Sequence, residues 1–148
     1  MPIADDVTEQ MKQAMKARDE RRLAALRSMR SAFLNEMKKD GSSAVSDAIC
    51  EGLLRKLEKQ RKESIEAFTN AGRDELAAVE RAELAVIQEF LPQLADEAKT
   101  REWISAAIAQ SGATSGKDVG KVMGALMKAH KGEIDGDLAR RLAQEMLG

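Results

Sequence analysis

Apolar residues recur along most of the chain with the three-to-four-residue period of amphipathic helices. Before Pro92 this period forms four long segments separated by polar turns, and 40–43 (Asp-Gly-Ser-Ser) is one of the clearest of these turns. Asp19 and Ser46 precede the second and third segments and have the side chains that cap helices. The pattern predicts helices over 3–17, from Asp19 to the turn at 40–43, over 46–71 and over 74–91.

Beyond Pro92 the apolar stripes become shorter and predict three further helices. These cover 96–110, about 116–130 with Ser115 at its cap position, and a last segment capped by Asp135. A residue that precedes proline disfavours the α conformation, so the boundary is expected at Pro92. The predicted fold class is all-α, with a bundle of about four helices over 1–92 and a small three-helix lobe over 93–148.

Composition and charge exclude several classes of protein. The chain has 24 basic and 25 acidic residues, which argues against a dedicated DNA-binding protein. One cysteine excludes an internal disulfide and a structural zinc site. No apolar leader and no run of about 18 apolar residues is present, so no membrane partner is expected and a cytoplasmic location is predicted.

Signals for catalysis are nearly absent. Cys50 and His130 lie far apart in sequence, and neither sits in a nucleophile motif. The glycine-containing segment 112–118 resembles the end of a phosphate-binding loop, but the glycine spacing is wrong and Asp118 replaces the expected hydroxyl. We therefore expect no catalytic residue, no metal site and no cofactor.

Most carboxylates lie on helix faces beside lysine or arginine, as Glu58 does beside Lys62, which predicts solvated pairs four residues apart. Two charged residues instead fall on apolar stripes of adjacent predicted helices. Arg61 interrupts the stripe of the third helix, and Glu83 that of the fourth. The stripe of the third helix consists of Ile49, Leu53, Leu57 and Phe68. Because a buried charge needs a partner, the sequence predicts a structural ion pair between Arg61 and Glu83. Arg30, which lies in the apolar stripe of the second helix, is the rival partner for Glu83.

A row of basic residues lies along the sixth predicted helix. Lys117, Lys121 and Lys128 lie opposite its apolar stripe, beside Gly120 and Gly124. The apolar stripe consists of Val119, Val122, Met123, Leu126 and Met127. Lysines next to bare backbone suit contact with a sugar–phosphate chain better than contact with a base edge. Two plainer explanations stay open, namely that the lysines only keep the helix soluble and that the glycines permit close helix packing.

Several strings in this order resemble the GatB/YqeY family over essentially the whole chain. They include 59–68 (KQRKESIEAF), 90–94 (FLPQL) and 117–124 (KDVGKVMG), of which the last is the most specific. A similar module forms the C-terminal tail of the B subunit of glutamine-dependent Glu-tRNA(Gln)/Asp-tRNA(Asn) amidotransferases. The resemblance implies a C-terminal lobe that contacts tRNA. Its candidate RNA-facing residues are Lys117, Gly120, Lys121, Gly124 and, from proximity in sequence, Lys128, Lys131, Arg140 and Arg141.

The leading hypothesis is a non-catalytic, tRNA-interacting accessory module. Since the four aromatics lie on apolar stripes, we expect a folded RNA to be read by shape and phosphates. The alternative is a protein–protein adaptor for the amidotransferase or other translation proteins. The family resemblance implies carbon–nitrogen ligation with glutamine as amide donor only within a larger complex, and no stand-alone activity is expected.

Overall fold

The computed structural model describes residues 1–148 and contains seven α-helices, one short 3-10 helix and no strand. The all-α prediction is confirmed. The helices are α1 Ile3–Ala17, α2 Glu20–Asp40, α3 Asp47–Asn70, α4 Asp74–Gln88, α5 Glu97–Ser111, α6 Val119–Ala129 and α7 Gly136–Leu147, with the 3-10 helix over Gly116–Asp118.

The chain forms two compact units, Met1–Leu91 and Pro92–Gly148, each with its own apolar core. The boundary expected from the sequence lies one residue further along. The N-terminal unit contains α1 to α4, and the C-terminal unit contains α5 to α7 with the 3-10 helix.

Side-chain caps start several helices at the residues that the sequence indicated. The Asp19 carboxylate accepts a hydrogen bond from the Arg22 N–H at 3.1 Å, and the Ser46 hydroxyl accepts one from the Ile49 N–H at 3.2 Å. Asp135 accepts from two backbone amides of α7. These three predicted caps are confirmed, and each satisfies donors that the first helical turn leaves unpaired.

The N-terminal core is built mainly where α4 packs on α3 and α2, and where α1 packs on α2. Its side chains are aliphatic, with one phenylalanine and one thiol among them. The fully buried members are Val7, Leu26, Met29, Cys50 and Leu54. Burial of each large aliphatic side chain contributes about 1.5–3 kcal/mol, so this packing is what holds the four helices together.

The buried face of α3 differs from the predicted one. The sequence pattern placed Ile49, Leu53 and Leu57 inward. Leu53 and Leu57 are half-buried and pack against the core, whereas Ile49 is 40% exposed. The buried residues of α3 are Cys50, Leu54 and Glu58. Because a carboxylate and a cysteine lie at the centre of the inner face, hydrophobicity alone misplaced that centre.

Glu58 is the buried carboxylate on that face, at 7% exposure. The sequence suggested a solvated pair between Glu58 and Lys62, and that interpretation is wrong. Arg55 Nη1 lies 3.2 Å from Glu58 Oε1, and the Gln88 side-chain amide donates to Glu58 Oε2 at 3.2 Å. Both oxygens are therefore partnered, and the second contact links α3 to the end of α4.

Arg61 bridges α3 and α4 through two carboxylates. Its Nη1 lies 2.8 Å from Glu80 Oε2 and 3.3 Å from Glu83 Oε2. The structure thus brings Arg61 and Glu83 together and adds Glu80, which the sequence analysis had not considered. Arg30, the rival partner, is exposed and makes no ion pair.

The fourth helix ends three residues before the predicted position. Gln88 is its last residue, and the chain continues through a turn to the buried Leu91. Here the Arg22 guanidinium donates two hydrogen bonds to the Glu89 carboxylate, from Nη1 to Oε2 at 2.7 Å and from Nη2 to Oε1 at 3.2 Å. This two-point contact connects the start of α2 with the turn that follows α4.

In the C-terminal unit, α5, α6 and α7 all pack on one another. The centre is filled by Ile104, Val122, Leu126 and Leu142, which are at most 1% exposed. The Ala95 N–H donates to the Glu133 carbonyl at 2.8 Å, so the segment before α5 is attached to the turn between α6 and α7.

Replacement of Arg61 tests its bridging role. Arg61→Met leaves Glu80 and Glu83 facing each other without their shared cation, and we expect the free energy of unfolding to fall by about 1–2 kcal/mol. Urea denaturation measures this loss. The triple variant R61M/E80Q/E83Q removes the repulsion and should recover much of it. A single variant as stable as the original chain would contradict the bridge.

Cys50 predicts a pH dependence of stability. Burial, assisted by the negative charge of Asp47, raises the pKa of its thiol. Below the unfolded thiol pKa, about 8.5, both states are protonated and the contribution is constant. Above it the unfolded chain loses its proton first, so the free energy of unfolding declines as the pH rises. Urea titrations from pH 7 to 10 should show a steeper decline for the original chain than for Cys50→Ala. Equal declines would show that the buried thiol does not contribute.

Candidate functional site

The candidate site is built on α6, whose two sides differ sharply. Its inner side buries Val119, Val122, Met123 and Leu126 in the C-terminal core. The opposite side carries residues that are all exposed, and we call them the lysine ridge. They are Lys117 of the preceding 3-10 helix and Gly120, Lys121, Gly124 and Lys128 of α6. Core packing of the aliphatic side fixes which side of α6 faces solvent.

The two glycines of the lysine ridge face open space. A β-carbon added to Gly120 or Gly124 would meet no atom within 4 Å outside the helix's own backbone. Close helix packing, one of the two plain explanations, therefore does not account for them. Their effect is to leave the backbone of α6 accessible between the lysines, which lets a large ligand approach closely.

The cations on and near the lysine ridge make no ion pairs, although the charge of Lys121 interacts with that of Asp118. Lys117, Lys121, Lys128, Lys131 and Arg140 are exposed, and none of them makes an ion pair. Their charges are consequently available to an anionic ligand. Fixed positive charges on one face attract phosphate groups, and salt screens that attraction.

Arg141 differs from the other candidate residues. Its Nη2 lies 3.9 Å from Glu97 Oε1, and Glu97 also pairs with Arg101 at 3.3 Å. Arg101 in turn contacts Glu145 on α7. Arg141 thus belongs to a surface network between α5 and α7, whereas its neighbour Arg140 is unpaired.

Asp118 shapes the start of the lysine ridge. Its carboxylate accepts a hydrogen bond from the Thr114 N–H at 3.0 Å, and this bond is the main reason that the pKa of Asp118 lies below its ordinary value. A second backbone hydrogen bond, from Ser115, and the charge of Lys121 lower it further. The sequence suggested Ser115 as the cap, but its side chain makes no cap bond. Asp118 instead reaches back and closes the turn.

A groove of about 330 Å³ lies between α6 and α7, next to the lysine ridge. Six residues line it: Met123, Gly124, Met127, Gly136, Asp137 and Arg140. The sequence pattern assigned Met127 to the buried stripe, but its side chain is 37% exposed. That assignment is wrong because Met127 lies at the edge of the apolar stripe, where it forms part of the groove wall.

His130 ends α6 in an arrangement that the sequence did not indicate. Its ring stacks on Trp103 with 3.7 Å between the centroids and 6° between the planes. Its Nδ1 lies 2.8 Å from Glu133 Oε2. His130 therefore fastens the end of α6 to α5, and only the three-dimensional structure could place a ring of α5 beside it.

The groups considered for catalysis are in different units. Cys50 is buried in the N-terminal core, while His130 belongs to the C-terminal unit. No group of three or more histidine, cysteine, aspartate or glutamate side chains is arranged to hold a metal ion. None of the seven helices is both long and apolar enough to cross a membrane.

Comparison with known proteins identifies relatives in fungi. The family model described as Yqey-like protein matches residues 4–147. "Altered inheritance of mitochondria protein 41, mitochondrial" of Saccharomyces cerevisiae strain YJM789 is 40% identical over 85 residues, which are 57% of this chain and 45% of that protein. The chain thus spans about half the length of this relative. The protein of the same name from Pyrenophora tritici-repentis is 29% identical over 142 residues, covering 93% of this chain and 77% of that protein.

These relatives correct the expected location. They are named as mitochondrial proteins, so the prediction of a cytoplasmic location is wrong. Organelle transit peptides are amphipathic and contain no hydrophobic run, so the lack of an apolar leader does not indicate a cytoplasmic location. Since the family model matches nearly every residue from the first helix to the last, this chain belongs to the YqeY-like protein family.

Proposed function

We propose that this protein is a non-catalytic accessory module that binds tRNA through the lysine ridge of its C-terminal unit. The observation that supports the proposal most directly is the row of unpaired lysines beside open glycine backbone on α6. Ammonium groups of this kind bind phosphate oxygens without reading sequence. The ligand is therefore a nucleic acid recognised first by its backbone.

The extent of the lysine ridge suits a short stretch of backbone. The eleven steps from Lys117 to Lys128 span roughly 17 Å, at about 2.0 Å per residue in the 3-10 helix and about 1.5 Å in α6. Two or three phosphates lie within reach of such a row. Because the chain as a whole is nearly neutral, binding should be weak in isolation and should depend only moderately on salt.

The packing of aromatic side chains into the two cores favours a folded RNA over a single-stranded RNA as the ligand. Phe33 and Trp103 are packed within the two units, and Trp103 is also stacked on His130. Single-strand binding proteins usually offer exposed aromatic rings to successive bases. The resemblance to the tail of the amidotransferase B subunit makes tRNA the preferred RNA and makes an amidotransferase the preferred larger assembly.

Two features support an accessory rather than a catalytic role. The Cys50 thiol is buried and its pKa is raised, which disfavours the nucleophilic thiolate. The ring of His130 stacks on Trp103 and contacts Glu133, and no hydrogen bond joins it to a serine, threonine or cysteine side chain. Any amide transfer would accordingly be performed by other proteins of the assembly.

Reversal of two charges on the lysine ridge tests the proposal. The double variant K117E/K121E should weaken binding of the full chain to unmodified tRNA by about tenfold or more at low salt, since attraction becomes repulsion. Fluorescence anisotropy of labelled tRNA measures the dissociation constant. The slope of log K against log salt should be about −2 for the original chain, as expected for two or three phosphate contacts.

Lys12 and Lys16 provide a matched control. They are exposed on α1, lie four residues apart like Lys117 and Lys121, and make no ion pair. K12E/K16E makes the same change in net charge and should leave most of the affinity for tRNA. If both double variants weaken binding equally, only net charge matters and the proposed site is wrong. If the original chain does not bind tRNA at low salt, the adaptor hypothesis takes its place.

A further inference from the structure

The groove between α6 and α7 lies next to the lysine ridge and offers a site for a part of the RNA other than its phosphates. We infer that it accepts one unpaired guanine base of the RNA, with Asp137 binding the Watson–Crick edge of the base and Arg140 and Met127 contacting its faces. This inference rests on the proposed RNA-binding function and specifies the ligand of the same surface. The groove shares Gly124 with the lysine ridge, so the two form one continuous surface.

The walls of the groove suit a flat aromatic ligand. Met123 and Met127 supply an apolar surface, and a thioether side chain makes favourable contacts with aromatic rings. Arg140 lies across from them with no carboxylate partner, and an arginine plane stacks on bases as aromatic side chains do. Base contact on this surface therefore does not require the aromatic residues that the cores use.

Asp137 selects among the bases. It is exposed in the first turn of α7, and its carboxylate makes neither a hydrogen bond nor an ion pair. The Asp137 backbone N–H donates a hydrogen bond to the Asp135 carboxylate at 2.9 Å, which fixes the position of the residue. A carboxylate offers two acceptors side by side, and guanine alone presents two adjacent donors, N1–H and N2–H, on its pairing edge.

The two glycines of the groove keep it open. Gly124 of α6 and Gly136 of α7 both line the groove, and a β-carbon added to either would meet no atom within 4 Å. Neither glycine has the positive φ that would demand glycine for backbone reasons. The lack of side chains at both positions therefore provides space and does not serve packing or a turn.

The size and openness of the groove set the expected strength of binding. Its 330 Å³ lies at the lower end of the range for small-ligand sites, about 300–1,000 Å³, which limits it to one base. Because the groove is open to solvent and Met127, Asp137 and Arg140 are exposed, a single base binds weakly. The lysine ridge would supply most of the affinity, and the groove would supply the preference for guanine.

Titration of the full ¹⁵N-labelled chain with the four nucleoside monophosphates tests the inference. All four share the phosphate, so differences among them report on the base. Guanosine monophosphate should shift the amide signals of Gly124 and Gly136 and bind at least about fivefold more tightly than the other three. Gly41 and Gly72, which are in the N-terminal unit, should not move and serve as internal references.

Asp137→Asn is the decisive variant, since it changes an acceptor pair without altering the shape of the side chain. It should abolish the preference for guanine while leaving the phosphate contribution. The matched control is Asp74→Asn, which makes the same change at an exposed residue in the first turn of α4. That control should retain the preference.

The outcomes for the groove and for the lysine ridge are distinguishable. Equal shifts with all four nucleotides, or a preference for guanine that survives in Asp137→Asn, would overturn the inference about the groove. The proposed tRNA binding would still stand if K117E/K121E weakened it. If K117E/K121E left tRNA binding intact, the proposed function would fail by a separate measurement.

Discussion

Burial of the aliphatic side of α6 is the constraint on which the candidate site depends. The C-terminal unit has few helices, and Val122 and Leu126 of α6 fill its centre together with Ile104 and Leu142. Since these side chains must leave water, α6 cannot rotate without opening the core. Its opposite side is thereby fixed toward solvent, and the lysine ridge is a consequence of this packing.

The two units use charge in different ways. In the N-terminal unit the charged residues near the core are paired across helices, as in the contacts of Arg61 with Glu80 and Glu83. In the C-terminal unit the lysines of α6 have no such partners, although Glu97 and Glu145 take part in ion pairs between α5 and α7. Paired charges hold helices together, whereas unpaired ones on a fixed surface remain available to a ligand.

Some errors of the sequence interpretation have a common cause. Periodicity gives the angle between residues on a helix, but the centre of the buried face is inferred from hydrophobicity. On α3 the most deeply buried residues include Glu58 and Cys50, while the predicted Leu53 and Leu57 are half-buried beside them. On α6 the groove exposes Met127, which hydrophobicity alone places inside. In both cases a neighbouring helix decides the burial, and the local sequence pattern does not show that helix. Gln88 of α4 gives Glu58 a hydrogen-bond partner, and the groove beside α7 leaves Met127 exposed.

The sequence by itself determined the all-α class, the helix caps at Asp19 and Ser46, and the exposed lysines of α6, because these follow from local hydrogen bonding and from the period of one helix. It also carried the family resemblance. Only the tertiary structure decided that Glu80 shares Arg61, that His130 stacks on Trp103, and that an open groove lies between α6 and α7. Those contacts join residues of different helices, and their geometry depends on how the helices pack.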